Sequence, residues 1–141
     1  MESGTDKAMS KRVLVTGASS GIGEATARAL RAQGMMVYAA ARRVDRLHKL
    51  AEETGCIPVE LDVRDRQAVK ALGEKHEFDI LINNAGLGRA LGAVWDAEIE
   101  DIEMTVDTNV TSAILMIKAV LPGMIERGLG HIVNMSSVTA L

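Results

Sequence analysis

The sequence predicts an α/β fold, a parallel sheet with helices packed on both faces. Three observations predict it. Short apolar runs alternate along the chain with helix-like segments. The runs are continuous rather than alternating in polarity, as strands covered on both faces require. The 141 residues are 48% hydrophobic, enough for one domain with a real core and too apolar for wholesale disorder.

The first strand is Val13-Leu14-Val15, entered from Lys11-Arg12 and closed by Thr16-Gly17. A helix follows over about 21–33, with Ile22, Ala25, Ala29 and Leu30 on one face and Gly34 where a helix terminates. Residues 35–41 form the second strand. The helix over 44–53 turns Leu47, Leu50 and Ala51 inward, with Gly55 past its end. The third strand spans 57–61, and its Pro58 suits a sheet edge, where a missing N–H is tolerated. Asp65 is expected to cap a helix running to about Lys75.

Ile80-Leu81-Ile82 is the fourth strand and leads into Asn83-Asn84-Ala85-Gly86 and a glycine-rich loop. Asp96 is expected to cap an acidic helix start containing Glu98, Glu100 and Asp101, where carboxylates meet the positive end of the helix dipole. That helix is read to about Asn109. A second helical stretch over 110–127 is apolar nearly all round and ends at Gly128, and residues 131–135 form the fifth strand. Residues 1–10 read as a flexible tail ahead of a domain over 11–141. No repeat, low-complexity stretch or interdomain linker is visible.

Composition narrows the function classes. A net charge of −3 removes the simple electrostatic case for nucleic acid or an anionic membrane surface. No uninterrupted apolar run approaches the ~20 residues of a membrane span, and the first ten residues carry no export signal. Cys56 is the one cysteine, so no internal disulfide can form. It reads as a buried small hydrophobe in a reduced, cytoplasmic protein, with a reactive thiol as the alternative. Tyr38, Phe78 and Trp95 are the only aromatic residues, so the core is aliphatic and methionine-rich. His48, His76 and His131 read as structural or solvated, and no metal site is expected.

The segment between the first strand and first helix carries the chemistry. It reads Thr16-Gly17-Ala18-Ser19-Ser20-Gly21-Ile22-Gly23, a G-x-x-x-G-x-G spacing. Gly17 permits a tight turn, Gly21 lets a ligand approach the backbone, and Gly23 lets the helix lie close to the sheet. The helix start then offers free N–H groups and a positive dipole end to a pyrophosphate, with Ser19 and Ser20 as further donors. It is not a P-loop, because no Lys-Ser/Thr follows the last glycine. An ordinary strand–helix turn is the plainer alternative.

Further motifs follow in order: Leu61-Asp62-Val63, Asn83-Asn84-Ala85-Gly86, Asn109, and Ile132-Val133-Asn134-Met135-Ser136-Ser137. With the glycine turn, this set resembles the classical short-chain dehydrogenase/reductase family, from about Lys11 to Leu141. The resemblance implies a Rossmann-type, doubly wound parallel sheet, with five strands of an expected seven in these residues, in the order 3-2-1-4-5. It also implies an oxidoreductase moving a hydride between a nicotinamide cofactor and a small carbonyl or alcohol substrate, and a homo-oligomer, tetramer or dimer.

Charge decides which cofactor is expected. In dinucleotide folds an acidic residue about 20 positions past the glycines binds the ribose 2′-OH of NAD, and an arginine nearby accommodates the 2′-phosphate of NADP. Here the second strand ends Ala40-Ala41-Arg42-Arg43, with no acid. By similarity Ala41 stands where NAD-dependent members carry Asp. NADP(H) is therefore expected over NAD(H), with Arg42 and Arg43 as phosphate ligands, unless they are only solvated charges opening a helix. Asp62 resembles the family aspartate that meets the adenine amino group, with Val63 packing beside that ring. Asp62 could instead be a plain turn residue. Asn83, Ala85 and Gly86 stand at the carboxyl edge of the fourth strand, where such sheets bind ligands. Asn83 and Asn84 could equally serve only to satisfy loop backbone.

The family's catalytic group is a tetrad of Asn, Ser, Tyr and Lys. By resemblance Asn109 and Ser137 are two of the four, with Ser136 competing for the serine position and a plain helix-boundary asparagine as the alternative for Asn109. The tyrosine acts as general acid/base and needs a nearby cation to bring its pKa of about 10 toward working pH. Its Tyr-x-x-x-Lys motif would lie roughly a dozen residues after Ser137, beyond Leu141. Tyr38-Ala39-Ala40-Ala41-Arg42 cannot replace it. Residues four apart on a helix are neighbours at about 5–6 Å, whereas on a strand they stand about 13 Å apart.

The chain is thus expected to be the N-terminal, cofactor-binding part of a longer enzyme, with the catalytic competence of these residues alone in doubt. The alternative is a non-catalytic NADP-binding module, a redox sensor or scaffold, which would need neither Asn109 nor Ser137. The stretch 120–132 resembles members that act on 3-hydroxy acids such as serine.

Overall fold

Val13, Leu14 and Val15 are fully buried, and the fold is built around them. The computed structural model describes residues 10–88 and 92–137. Its elements are β1 (Arg12–Thr16), α1 (Gly21–Ala32), β2 (Met36–Ala41), α2 (Val44–Thr54), β3 (Ile57–Glu60), α3 (Arg66–Lys75) and β4 (Ile80–Asn83). A 3-10 turn (Val94–Asp96), α4 (Ile99–Val106), a π-helical turn (Asp107–Thr111), α5 (Ser112–Arg127) and β5 (His131–Asn134) follow. The strands form one sheet in the order β3-β2-β1-β4-β5, and every neighbouring pair is parallel.

The period-two geometry of a strand splits β1 between two cores. Val13 and Val15 join Val37, Ala39, Ala27 of α1, and Leu47 and Leu50 of α2. Leu14 faces the other way, into a cluster with Leu81, Phe78, Val69 and Leu72 of α3, and Met116, Val120 and Met124 of α5. Two helices therefore cover each face, as the continuous apolar strands required. Pro58 lies on the β3 edge, paired in register with Ala39. The Asp65 carboxylate accepts the Ala68 N–H at 3.0 Å and caps α3 as expected.

Two local expectations are corrected. Asp96 is not a helix cap: it closes the 3-10 turn, Ala97 is extended, and the N-cap position of α4 falls at Glu98. Extended residues at both ends of the turn, Ala93 and Ala97, isolate it from the helix. Nor is there a break near Asn109. One helix runs from Ile99 to Arg127, and the π-helical turn absorbs the junction. The Ser112 hydroxyl donates to the Asp107 carbonyl at 2.8 Å, five residues back, and satisfies an acceptor within that wider turn.

Joining the two stretches also changes the membrane-span arithmetic. The combined 29-residue helix is long and apolar enough to cross a membrane by length and composition alone. Its inward face is already committed to the sheet through Ser112, Met116, Val120 and Met124, while Ile114 and Ile125 are exposed. The helix is therefore two-sided rather than apolar all round in its packing. The expected tail, residues 1–10, lies outside the described residues except for Ser10.

Candidate functional site

The carboxyl ends of β1, β2 and β4 and the β3–α3 loop meet around the glycine turn. Gly17 and Gly21 have φ of +63° and +55°, backbone that L side chains rarely adopt. A Cβ on Gly17 would stand 3.0 Å from Ala85 Cα and from the Asn84 amide nitrogen. At Gly21 nothing lies within 4 Å, so that stretch of backbone is open to a ligand. A Cβ on Gly23 would sit well inside contact distance of the Gly17 carbonyl oxygen and the Asn84 amide. Gly23 thus lets α1 close on the glycine turn itself, not on the sheet as expected. Ile22 beside it is 64% exposed.

Thr16 and Asn84 lock this turn to β4. The Thr16 hydroxyl is buried and accepts the backbone N–H groups of Asn84 and Ala85, each at 3.0 Å. The Asn84 side chain donates to the Thr16 and Gly17 carbonyls at 3.1 and 3.3 Å. Sequence reasoning did not single out Thr16, although its place immediately before Gly17 was the signal. Asn83 turns elsewhere: it donates to the Ala113 carbonyl at 3.2 Å and to Asn134 Oδ1 at 3.0 Å, tying β4 to α5 and β5. Neither partner is a loop backbone group, and Asn83 also borders the second of the clefts described below.

Arg43 lies across the glycine turn. Its Nε donates to the Ser19 hydroxyl at 3.3 Å and its terminal nitrogen to the Ser20 hydroxyl at 2.9 Å. Ser20 occupies the N-cap position of α1 without using its side chain as a cap. Arg42 is exposed and close enough to favour ionisation of Asp62. Asp62 itself is gripped by Arg64, whose backbone N–H and Nε reach Oδ1 at 3.0 and 3.2 Å and whose terminal nitrogen reaches Oδ2 at 3.0 Å. The Arg64 hydrogen bonds outweigh partial burial and hold the Asp62 carboxyl below its ordinary pKa. Sequence reasoning missed Arg64, because nothing in its type or spacing distinguishes it from a solvated loop residue.

Two clefts open on this edge. One, of about 500 Å³, is bordered by Gly17, Ser19, Ser20, Arg42, Arg43, Asp62, Val63, Arg64 and Gly86. The second, of about 690 Å³, is bordered by Ile22, Asn83, Asn109, Ser136 and Ser137. Val63, Asn84, Ala85, Gly86 and Thr108 border both. The Thr108 hydroxyl is buried without a hydrogen-bond partner among the described residues. Asn109 stands in the π-helical turn and binds the Leu87 backbone with both ends of its amide. Of the residues expected at the cofactor site, Gly17, Ser19, Ser20, Arg42, Arg43, Asp62, Val63, Ala85 and Gly86 border the first cleft, Ile22 and Asn83 border only the second, and Gly21 and Gly23 border neither; Asn109 and Ser137 share the second.

Tyr38 is not among them. It packs against His76 and Phe78, with ring centroids 5.0 and 5.1 Å away, and borders neither cleft. Cys56 is buried, as expected of a small core residue.

Comparison with known proteins agrees with this geometry. A family model described as short chain dehydrogenase matches residues 11–141. The NADP-dependent 3-hydroxy acid dehydrogenase YdfG of Salmonella typhi is 43% identical over 132 residues, 89% of this chain and 53% of its own length. The protein of the same name from Escherichia coli O6:H1 is 44% identical over the same shares. The chain spans about half the length of these curated relatives. Among solved structures, the closed form of serine dehydrogenase complexed with NADP+ superposes with a TM-score of 0.87 at 41% identity, over 92% of this chain and 55% of that one. Serine dehydrogenase from Escherichia coli superposes with a TM-score of 0.84 at 42% identity, over 89% and 62%. With sequence, topology and site geometry in agreement, the chain belongs to the short-chain dehydrogenase family.

Proposed function

We propose that these residues form the cofactor-binding part of an oxidoreductase that uses NADP(H) to interconvert a carbonyl and an alcohol. The observation that carries the reading is the Arg43 guanidinium bonded to Ser19 and Ser20, with Arg42 beside it and no carboxylate at Ala41. Two guanidiniums at a glycine turn make a donor set suited to a phosphate. A carboxylate at position 41 would oppose it. The open backbone at Gly21 and the helix start behind it suit the pyrophosphate. Arg42, Arg43, Ser19 and Ser20 would hold the 2′-phosphate end, Asp62 and Val63 the adenine, and Gly17, Ile22, Gly23, Ala85 and Gly86 the remaining walls.

NADP(H) bound there supplies or accepts the hydride. The chain's own part is positional. Asn109 fixes the backbone at Leu87 on the border between the clefts. Ser137, with Ser136 as neighbour, offers a hydroxyl to the substrate oxygen on the cleft that Asn109 also borders. The 141 residues contain no Tyr-x-x-x-Lys, and the reading gives them cofactor binding and positioning rather than proton transfer. A binding module without catalysis would have no use for Ser137 on the second cleft, whereas the Asn109 clamp on Leu87 suits either reading. The names of the relatives, 3-hydroxy acid dehydrogenase and serine dehydrogenase, support a 3-hydroxy acid as the substrate class. Ile99, Ile102, Val106, Val110 and Ile114 form an exposed apolar line that supports a homo-oligomer.

The test is nucleotide binding by calorimetry on the full protein. NADP+ is expected to bind at least tenfold tighter than NAD+, and Arg42→Ala to remove most of that preference. Equal affinities in the unsubstituted protein would overturn the reading.

A further inference from the structure

Asp62 is the only carboxylate among the described residues that border the 500 Å³ cleft, and it shares that cleft with Arg42 and Arg43. A negative charge there opposes a second anion in the same space. Arg64 answers it with three contacts between 3.0 and 3.2 Å, two of them from a guanidinium laid along the carboxylate. The bidentate pairing is local, between residues two apart on the β3–α3 loop, and both side chains are about one-third exposed, 31% for Arg64 and 35% for Asp62. A pair so exposed adds little to folding. Its consequence lies in the field it leaves in the cleft.

We propose that Arg64 is a specificity-determining residue that cancels the charge of Asp62, so that the cleft accepts the 2′-phosphate of NADP(H) while keeping a carboxylate for the adenine. The inference rests on the NADP(H) reading above. It separates two demands that meet in one small space. Adenine recognition uses an acceptor, and phosphate recognition needs a field free of net negative charge. Arg64 meets the second demand without removing the first: it takes both lone pairs of Oδ1 but only one of Oδ2, which leaves one acceptor site for the adenine amino group.

The readout is the ratio of NADP+ to NAD+ affinity, measured by calorimetry on the full protein. Arg64→Gln is expected to lower that ratio about five- to tenfold, the scale of one unit charge across a solvent-lapped cleft. NAD+ affinity itself should move less than about twofold. Arg64→Lys, which keeps the charge, should hold the ratio. In the double variant Asp62→Asn, Arg64→Gln no carboxylate remains to be cancelled, so the ratio should return to within about twofold of the unsubstituted value. A ratio unchanged in Arg64→Gln overturns the proposal. A ratio that stays low in the double variant also overturns it, because Arg64 would then bind the phosphate directly. Absence of any NADP+ preference in the unsubstituted protein would instead strike the cofactor reading itself, which keeps the two failures distinct.

Discussion

Asn109 holds the backbone of Leu87 with both ends of its amide: Oδ1 accepts the Leu87 N–H at 2.8 Å and Nδ2 donates to the Leu87 carbonyl at 2.6 Å. The two residues are 22 apart in sequence, so this clamp fixes the loop after β4 to the long helix. Asn109 stands within the π-helical turn at Asp107–Thr111. Both bonds are solvent-exposed, so in Asn109→Ala water can take over the Leu87 groups and the cost should be about 0.5–1.5 kcal/mol. Amide hydrogen exchange at Leu87 should accelerate, while that of the β1 amides stays slow. An unchanged Leu87 rate would mean that the clamp is not holding the loop.

Gly21 and Gly23 are two residues apart and should respond differently to the same change. At Gly21 an added Cβ meets nothing, and only the φ of +55° is unfavourable, so Gly21→Ala should cost about 1–2 kcal/mol. At Gly23 the Cβ would collide with the Gly17 carbonyl and the Asn84 amide, both fixed in the turn. Gly23→Ala should therefore displace α1 from the turn, destabilise by more than about 2 kcal/mol and abolish tight nucleotide binding. Thermal unfolding and calorimetry on both variants check the order.

Thr16 gives a cleaner polar test. Its buried hydroxyl takes the Asn84 and Ala85 N–H groups together. Thr16→Val keeps the shape but leaves two donors unsatisfied, at a cost of about 2–4 kcal/mol. Thr16→Ser keeps the acceptor and should retain most of the stability. Urea denaturation of the pair distinguishes a lost hydrogen bond from a lost methyl group.

The sheet was legible because burial on two faces leaves a coarse mark. Val13-Leu14-Val15 and Ile80-Leu81-Ile82 have to be apolar at every position, since their side chains enter two different cores. The glycine turn was legible because Gly17, Gly21 and Gly23 stand where other side chains meet strain or collision. What stayed hidden depends on partners distant in sequence or on a backbone irregularity. The Asp96 expectation followed a sound capping preference, yet chain direction at Ala97 decided where α4 starts. The π-helical turn has no residue signature, and a straight helix and a helix with one wider turn share the same apolar pattern. Arg64 looks like any loop arginine until Asp62 is seen beneath it.

At the opposite end of the sheet, Asp79 makes stability depend on pH. Its Oδ2 accepts the Arg12 N–H at 2.8 Å, with the Arg12 Nε at 3.5 Å and an Arg127 nitrogen at 3.9 Å from the carboxylate. Burial opposes ionisation there, but the Arg12 N–H and the guanidiniums of Arg12 and Arg127 outweigh it and hold the carboxyl below its ordinary value. The unfolded chain, with an aspartate pKa of about 3.9, then binds the proton more readily than the native state. The stabilisation is complete above that value and is lost as pH falls through the lower native one. Asp79→Asn removes the charge and keeps one acceptor, so it should cost about 1–2 kcal/mol at neutral pH. The gap between the two proteins should close as pH drops from about 5 toward 2. Urea midpoints measured across that range test it, and a gap that stays constant would show that the ion pairs of Asp79 add nothing to the fold.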